Sequence, residues 1–226
     1  MNRLIFIPGL GEDERVFNNI LPLIEGEKLV LNTWNLHGDV PRGKVKATDI
    51  AREMVERYSI TKDDILIGHS MGGLIALFLK ELTGCKIVQV ASYTSHNRVI
   101  VPVSNHQFIK WAVKYHLFFN PIIRWLVLKI QYNTKPSKLW LTNIFNLLKN
   151  GNKNNVINQL TVALTPIHTK DKIEPDLRIH SKKDLIIRPP KEPYVQIPGD
   201  HFSILTHPKE AAAAINDFLK IRAARE

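Results

Sequence analysis

Residues 63–80, DDILIGHSMGGLIALFLK, place a single serine between a short apolar run and an apolar segment of helical length. Glycines occur two positions before Ser70, at Gly68, and two positions after it, at Gly72. Small residues at these positions allow a strand to turn sharply into a helix without a steric collision, and the turn exposes the serine hydroxyl. The Gly-x-Ser-x-Gly pattern is short, but between a predicted strand and a predicted helix it favours a nucleophilic serine over an ordinary turn.

Short apolar runs alternate with segments of helical periodicity along most of the chain. The sequence predicts six strands, at residues 3–7, 28–34, 64–68, 86–91, 177–181 and 194–198. It predicts helices at residues 15–25, 48–58, 71–82 and 208–221. Strands that alternate with helices are typical of βαβ units. The expected fold class is therefore α/β, with a mostly parallel, doubly wound sheet of about six strands.

One connection is much longer than the others. About 85 residues separate the strand predicted at 86–91 from the strand predicted at 177–181, far more than one crossover helix requires. Helical periodicity appears in four segments of this stretch, at residues 106–119, 121–130, 138–149 and 154–164. The sequence therefore predicts a core domain formed by residues 1–97 and 171–226, interrupted by an inserted helical cap at residues 98–170.

Positive charge is concentrated in the same part of the chain. The net charge is +10, and residues 82–170 contain eleven Lys or Arg and no Asp or Glu. The other 137 residues carry 20 basic and 21 acidic groups, so the whole excess lies in or beside the predicted cap. Such a surface attracts anionic substrates or anionic membranes. It would also attract nucleic acid, but the sequence has no recognised nucleic-acid-binding module, and no such partner is expected.

Cysteine usage and hydropathy exclude other classes of protein. The single cysteine, Cys85, excludes an internal disulfide and offers no metal-binding spacing, so no metal is expected. No uninterrupted run of about 18 apolar residues occurs, so no transmembrane helix is predicted. Residues 1–7 are too short for the apolar core of a signal peptide, and the cytoplasm is the expected location.

A nucleophilic serine needs a histidine as base and a carboxylate that orients the histidine. Among nine histidines, His201 is the one that follows a late predicted strand and a turn, in VQIPGDHFSIL. Asp184 follows the predicted strand LRIHS, which places it at the carboxyl edge of the sheet, where the three residues would meet. Asp200 is adjacent to His201 in one loop, and Asp176 precedes its strand, so both are weaker candidates for the acid.

Attack on a carbonyl also needs backbone N–H groups that stabilise the developing negative charge. Met71 directly follows Ser70 at the start of a predicted helix, which is the expected position of one donor. The second donor is expected in the glycine-rich loop IPGLGED, residues 7–13, and by position it belongs to Leu10. The alternative is that PGLG forms an ordinary turn.

Four motifs together resemble those of the α/β-hydrolase superfamily: IPGLGED its oxyanion loop, GHSMGG its nucleophile elbow, HSKKDLIIRPP its acid turn and PGDHFSIL its histidine loop. The insertion occurs where members of this superfamily carry a helical cap. The resemblance implies a catalytic triad of Ser70, Asp184 and His201, an acyl-enzyme, and no cofactor or metal. Two departures are that the family's first two strands are missing, which implies a reduced sheet, and that Asp200 stands where a small residue is usual.

The resemblance also implies that the cap covers the active site and sets its specificity. The cap contains three of the four tryptophans, which we expect to contact substrate: Trp111, Trp125 and Trp140. An apolar acyl pocket with a positive rim would suit an acyl chain on an anionic carrier, such as coenzyme A or an acyl-carrier protein. Peripheral contact with an anionic membrane is a second interpretation. A third is that the aromatic residues pack as the core of the cap and the charge reflects composition alone.

The sequence thus predicts a serine hydrolase that cleaves a small-molecule carboxylic ester or thioester. One alternative is another reaction of the same fold, such as lactone opening or C–C bond hydrolysis. Another is a non-catalytic protein that keeps the pocket as a ligand receptor. The presence of Ser70, Asp184 and His201 together argues against a receptor, because a receptor does not need all three residues.

Overall fold

The computed structural model describes residues 3–32, 44–100, 125, 134–164 and 173–223. The strands within these ranges are β1 (Leu4–Ile7), β2 (Lys28–Val30), β3 (Ile65–His69), β4 (Lys86–Val90), β5 (Leu177–His180) and β6 (Val195–Gln196). The α-helices are α1 (Ala47–Tyr58), α2 (Met71–Thr83), α3 (Lys135–Asn150), α4 (Lys153–Leu164), α5 (Ser203–Thr206) and α6 (Pro208–Ala223). All six predicted strands are present, although β2 and β6 are shorter than expected.

The strands form one sheet in the order β2-β1-β3-β4-β5-β6, and every neighbouring pair is parallel. This confirms the predicted α/β class and the doubly wound, parallel sheet. The chain leaves β1 towards β2 and then returns to the other side of β1 as β3, so the strand order reverses at β1. In open α/β sheets such a reversal opens a crevice at the carboxyl ends of the strands. The loops that follow β1 and β3 border this crevice.

Both faces of the sheet are buried at the inner strands β1 and β3, which explains why these strands are continuous apolar runs rather than alternating ones. In β1, Leu4 and Phe6 belong to one hydrophobic cluster, and Ile5 and Ile7 belong to another on the opposite face. The first cluster includes residues of α3 and α6, and the second includes residues of α1 and α2. Helices therefore cover the sheet on both sides.

The helix predicted at residues 15–25 is wrong. The chain instead forms two short 3₁₀ turns, Glu14–Phe17 and Leu21–Leu23. Pro22 lies in the second turn, and a continuous α-helix would bring its ring against the carbonyl group four residues earlier. The apolar residues of the first turn, Val16 and Phe17, are nevertheless fully buried, so the predicted contact with the core is made by a different local structure.

Two of the four helices predicted in the cap lie among the described residues, as α3 and α4. The segments predicted at 106–119 and 121–130 lie outside them, apart from Trp125. The α4 helix is tied to the loop after β4, because the hydroxyl of Tyr93 donates to the carbonyl oxygen of Ala163 at 2.8 Å. None of the helices in the described ranges has the length and apolar character needed to cross a membrane.

The central position of β3 predicts a large stability cost for truncating its side chains. Leu66 in β3 is fully buried, so Leu66→Ala leaves a cavity and should lower the free energy of unfolding by about 2–5 kcal/mol. The same substitution at Leu139 on α3, which is 65% exposed, should change it by less than about 0.5 kcal/mol. Urea unfolding followed by circular dichroism measures both values, and equal losses would contradict the assigned burial.

Candidate active site

Ser70 lies in a strained turn between β3 and α2. Its φ is 52° and its ψ is −122°, a left-handed conformation that a residue with a Cβ atom rarely adopts. Three hydrogen bonds hold the backbone there. The N–H of Ser70 donates to the carbonyl oxygen of Val90 at 3.0 Å, and its carbonyl oxygen accepts from the N–H of Gly73 at 3.0 Å and from Ser92 Oγ at 2.6 Å.

The glycines around Ser70 are required by close backbone approach. A Cβ atom at Gly68 would collide with the backbone of Gly73, and one at Gly72 would collide with the carbonyl oxygen of Ile7. The start of α2 therefore packs against the ends of both β1 and β3. Small residues are therefore needed on either side of the serine because a larger side chain would collide with adjacent backbone.

The structure brings Ser70, His201 and Asp184 together at the carboxyl edge of the sheet. His201 Nε2 lies 3.1 Å from Ser70 Oγ, and His201 Nδ1 lies 2.8 Å from Asp184 Oδ2. All three residues are at most 9% exposed. The hydrogen bonds form a continuous chain from the hydroxyl through the imidazole to the carboxylate. This is the arrangement in which an imidazole can remove the proton of a serine.

The turn after β5 holds Asp184 in its ionised form. Its Oδ1 accepts the N–H groups of Ile186 and Ile187, both at 2.8 Å. Burial by itself would raise the pKa of this carboxyl, but the imidazole groups of His201 and His180 outweigh burial and hold the pKa well below its usual range. His180 Nε2 lies 3.2 Å from Asp184 Oδ2. The sequence analysis did not assign a role to His180.

The other candidate acids have different partners. Asp200 Oδ1 accepts the backbone N–H of Phe202 at 2.9 Å. Asp176 pairs with Lys80 at 2.7 Å and with Lys86 at 3.1 Å, near the opposite edge of the sheet. Asp184 is therefore the carboxylate that the fold places against the imidazole of His201.

The loop after β1 passes directly beside Ser70. A Cβ atom at Gly9 would lie 2.9 Å from the Cβ atom of Ser70, so Leu10, the next residue, is also close to it. Met71 is the first residue of α2, and the first N–H groups of a helix have no partner within the helix. Both expected oxyanion donors thus belong to backbone that adjoins Ser70.

A buried hydrogen-bond chain that the sequence analysis missed links this loop to the histidine loop. Glu12 Oε2 lies 2.7 Å from the N–H nitrogen of Gly9 and 2.7 Å from His69 Nδ1. On the other side of the ring, His69 Nε2 donates to the backbone carbonyl oxygen of His201 at 2.9 Å. The available signals were an acidic residue in the glycine-rich loop and a histidine directly before the nucleophile.

One hydrogen bond joins the carboxyl group of Glu12 to the imidazole of His69. Because His69 Nε2 must donate to a carbonyl oxygen, the Nδ1–Oε2 contact contains either a proton on Nδ1 or a proton on the carboxyl group. Burial alone would lower the pKa of His69, but the carboxylate of Glu12, the backbone carbonyl of His201 and the carboxylate of Asp184 together outweigh burial and raise it. The raised pKa of His69 favours an imidazolium paired with a carboxylate. Both side chains are almost fully buried.

Helices α3 and α4, which lie in the predicted cap, pack on the same loop. The N–H of Gly11 donates to Gln159 Oε1 of α4 at 3.1 Å. Gly11 has a φ of +67°, and a Cβ atom there would lie within 3 Å of the side chains of Ile144 and Leu148 on α3. Helices α3 and α4 therefore contact the loop that contains the proposed oxyanion donor.

The three tryptophans expected to contact substrate differ in their surroundings. Trp140 on α3 is 8% exposed and packs in the hydrophobic cluster that includes Ile144 and Leu148. Trp125 is 56% exposed. Trp111 lies outside the described residues. Contact of these side chains with substrate stays a prediction.

The described residues contain no group of three or more His, Cys, Asp or Glu side chains placed to hold a metal ion.

The buried pair predicts a strong effect of removing its charge. In Glu12→Gln, the amide can offer its oxygen to the Gly9 N–H, and neutral His69 then cannot donate to both the amide and the carbonyl of His201; or it can offer its NH2 to His69 Nδ1, and the Gly9 N–H then loses its acceptor. Either way one buried polar group is left unpaired, so the free energy of unfolding should fall by about 1–3 kcal/mol. Glu25→Gln is the matched control, because Glu25 is exposed. Urea unfolding at neutral pH measures both, and a Glu12→Gln variant as stable as the control would contradict the assigned pair.

No protein-family model matches the chain, and no curated protein matches it by sequence. Solved structures do match it. A thermophilic esterase from Thermogutta terrifontis superposes with a TM-score of 0.71 at 14% identity, over 97% of this chain and 90% of that one. An enol-lactonase from Burkholderia xenovorans LB400 gives a TM-score of 0.74 at 14% identity, over 97% of this chain and 91% of that one.

A bromoperoxidase from Bacillus anthracis gives a TM-score of 0.69 at 16% identity, over 97% of this chain and 92% of that one. These three neighbours are α/β-hydrolases with different names for their activities, so at such low identity the likeness indicates the fold and not the reaction. The parallel sheet, its strand order and the turn at Ser70 agree with the likeness. This chain has the fold of the α/β-hydrolase superfamily.

Proposed function

We propose that this protein is a serine hydrolase that cleaves a carboxylic ester or thioester through an acyl-enzyme. The observation that carries the proposal is the hydrogen-bonded chain from Ser70 Oγ through His201 to Asp184, with heavy-atom distances of 3.1 and 2.8 Å. The left-handed turn at Ser70 supports it, because strain of this kind is maintained by its surroundings and is concentrated at functional sites.

The proposed reaction begins with attack of Ser70 Oγ on the carbonyl carbon of the substrate. His201 Nε2 takes the hydroxyl proton, and the imidazolium is stabilised by the ionised carboxylate of Asp184. The negative charge that forms on the carbonyl oxygen is stabilised by the backbone N–H groups of Met71 and Leu10. The tetrahedral intermediate then collapses, its C–O or C–S bond breaks, and the Nε2 proton passes to the leaving alcohol or thiol.

The second half of the reaction releases the acid. Water attacks the acyl carbon, and His201 Nε2 takes a proton from it. The second tetrahedral intermediate breaks its bond to Ser70 Oγ, which recovers its proton from His201. A lactone is an internal ester, so the same steps would open its ring. The structural similarity to an enol-lactonase is the observation that keeps lactones among the candidate substrates.

The substrate class that we propose has an apolar acyl part on an anionic carrier such as coenzyme A or acyl-carrier protein. The described cap helices support it by their charge. Residues 134–164 contain four lysines and no Asp or Glu, and Lys135, Lys149 and Lys153 are exposed. Peripheral contact of this positive surface with an anionic membrane is the competing interpretation.

Covalent labelling tests the nucleophile. A fluorophosphonate probe should label the wild-type protein at Ser70, and Ser70→Ala should abolish the labelling because the attacking oxygen is removed. Ser95→Ala serves as the control, since Ser95 makes no side-chain capping hydrogen bond and lies in a different loop. Intact-mass spectrometry measures the adduct. Labelling that persists in Ser70→Ala, or that the control loses equally, would exclude Ser70 as the nucleophile.

Substitution of the acid tests the triad. Asp184→Asn should lower kcat by about 10³–10⁴-fold, because an amide neither stabilises the imidazolium nor holds the required tautomer. Asp200→Asn should leave kcat near the wild-type value, since the amide oxygen still accepts the N–H of Phe202. Hydrolysis of p-nitrophenyl acetate measures both variants. The opposite result would assign the acid to Asp200.

Salt dependence tests the carrier. The KM for an acyl-coenzyme A should rise between about 0.05 and 0.5 M NaCl, whereas the KM for a neutral p-nitrophenyl ester should not, because screening acts on charge attraction. Lys149→Gln/Lys153→Gln should raise the KM for acyl-coenzyme A, and Lys62→Gln/Lys209→Gln, a pair of exposed lysines outside the cap, should not. A thioester KM that depends on neither salt nor the cap lysines would contradict recognition of the carrier by charge.

A further inference from the structure

A polar cavity of about 350 Å³ lies at β4, β5 and the segment that leads from β5 to β6. Its lining includes Ser92 and residues 188 and 190–192, but none of Ser70, Asp184 and His201. The cavity is therefore separate from the proposed reaction centre, and the function proposed above does not account for it.

The cavity lies where the side chains on one face of the sheet change from apolar to polar, at β4 and β5. On the face that α2 covers, the strands present apolar residues such as Leu66 and Ile87. Further along the same face, β4 presents Gln89 and β5 presents Arg178, which are register partners. The chain between His180 and β6 forms no helix, and its residues 188 and 190–192 line the cavity with these two side chains.

Cations dominate the lining. Arg98, Arg178, Arg188 and Lys191 line the cavity together with a single carboxylate, Glu192. Arg178 also pairs with Glu174, which lies outside the lining. Even with Glu174 included, four cations face two carboxylates. The cavity therefore has an excess of positive charge in its immediate surroundings.

The electrostatics of Glu192 agree with this excess. A hydrogen bond from its own backbone N–H and the guanidinium groups of Arg178 and Arg98 lower the pKa of the Glu192 carboxyl and outweigh the opposite effect of its partial burial. Arg98 is held in place by donation from Nη1 to the carbonyl oxygen of Pro189 at 3.1 Å. That bond uses one of five N–H donors and leaves the others for a ligand.

We propose that this cavity binds a small molecule with a phosphate or pyrophosphate group, held by Arg98, Arg188 and Lys191. Guanidinium groups present paired N–H donors that match the oxygens of a phosphate, and lysine adds a further charge. Several cations around one cavity suit an anion with more than one negative charge and several acceptor oxygens. The hydroxyl of Thr94 and the amide of Asn97 also line the cavity and add polar contacts.

The wall of the cavity is continuous with the nucleophile turn. Ser92 lines the cavity and donates through Oγ to the carbonyl oxygen of Ser70 at 2.6 Å. Gln89 lines it as well and donates through Nε2 to the carbonyl oxygen of Gly73 at 2.9 Å. The proposed phosphate site thus adjoins the backbone of the turn, although its lining does not include Ser70, Asp184 or His201.

Calorimetric titration of the full chain with inorganic pyrophosphate tests the site. The double variant Arg188→Gln/Lys191→Gln should weaken binding by at least about tenfold, because two exposed cations of the site are removed without touching a buried contact. Arg52→Gln/Arg57→Gln is the control with the same change in net charge. Both of its arginines are exposed on α1 and outside the cavity lining. Circular dichroism confirms that each variant is folded.

Two further arms decide the outcome. Ser70→Ala should bind pyrophosphate as the wild type does, which separates this site from the hydrolase centre, and malonate should bind more weakly than pyrophosphate. Absence of binding to the wild-type chain, or equal weakening by the control pair, would overturn the proposal. Loss of binding in Ser70→Ala would indicate that the anion binds in the catalytic centre instead. Tighter binding of malonate than of pyrophosphate would indicate a site for dicarboxylates and not for phosphates. Each of these results rejects the site as proposed.

Discussion

The loops around Ser70 are held to one another by the buried contact between Glu12 and His69. Glu12 fixes the backbone of Gly9, and His69 fixes the backbone carbonyl of His201. Through this pair, the loop after β1, the end of β3 and the histidine loop form one hydrogen-bonded unit. The proposed oxyanion donor follows Gly9 directly, and the proposed base is His201 itself. The positions of both relative to Ser70 therefore depend on this one pair.

The strained turn at Ser70 is maintained by the packing of its neighbours. A left-handed conformation at a residue with a Cβ atom costs about 1–3 kcal/mol. Three hydrogen bonds to the backbone of Ser70 and the close approach of Gly68 and Gly72 to adjacent backbone offset this cost. Because those contacts come from β1, α2 and the end of β4, the left-handed conformation of Ser70 is a property of the assembled sheet and not of the six-residue motif alone.

The fold and the site differ in how far the sequence predicts them. Strands with two buried faces appear as apolar runs, and parallel strands bring their carboxyl ends to one edge, so the sheet and the meeting of Ser70, Asp184 and His201 follow from local patterns and order. The 3₁₀ turns at residues 14–23 do not follow, because Pro22 overrides a helical pattern. Glu12 and His69 are 57 residues apart, and no local pattern indicates such a pairing.

The connection between β5 and β6 shows how a missing helix changes the chemistry of a sheet. Where a helix covers a strand, burial requires apolar side chains, as in Leu66 and Ile87. Where residues 188–192 replace a helix, the sheet can present Gln89 and Arg178 instead. Ser92 belongs both to this polar wall and to the hydrogen bonds of the Ser70 turn. Any ligand that displaces Ser92 therefore acts on the hydrogen bonds that hold Ser70, the proposed nucleophile, in its left-handed conformation.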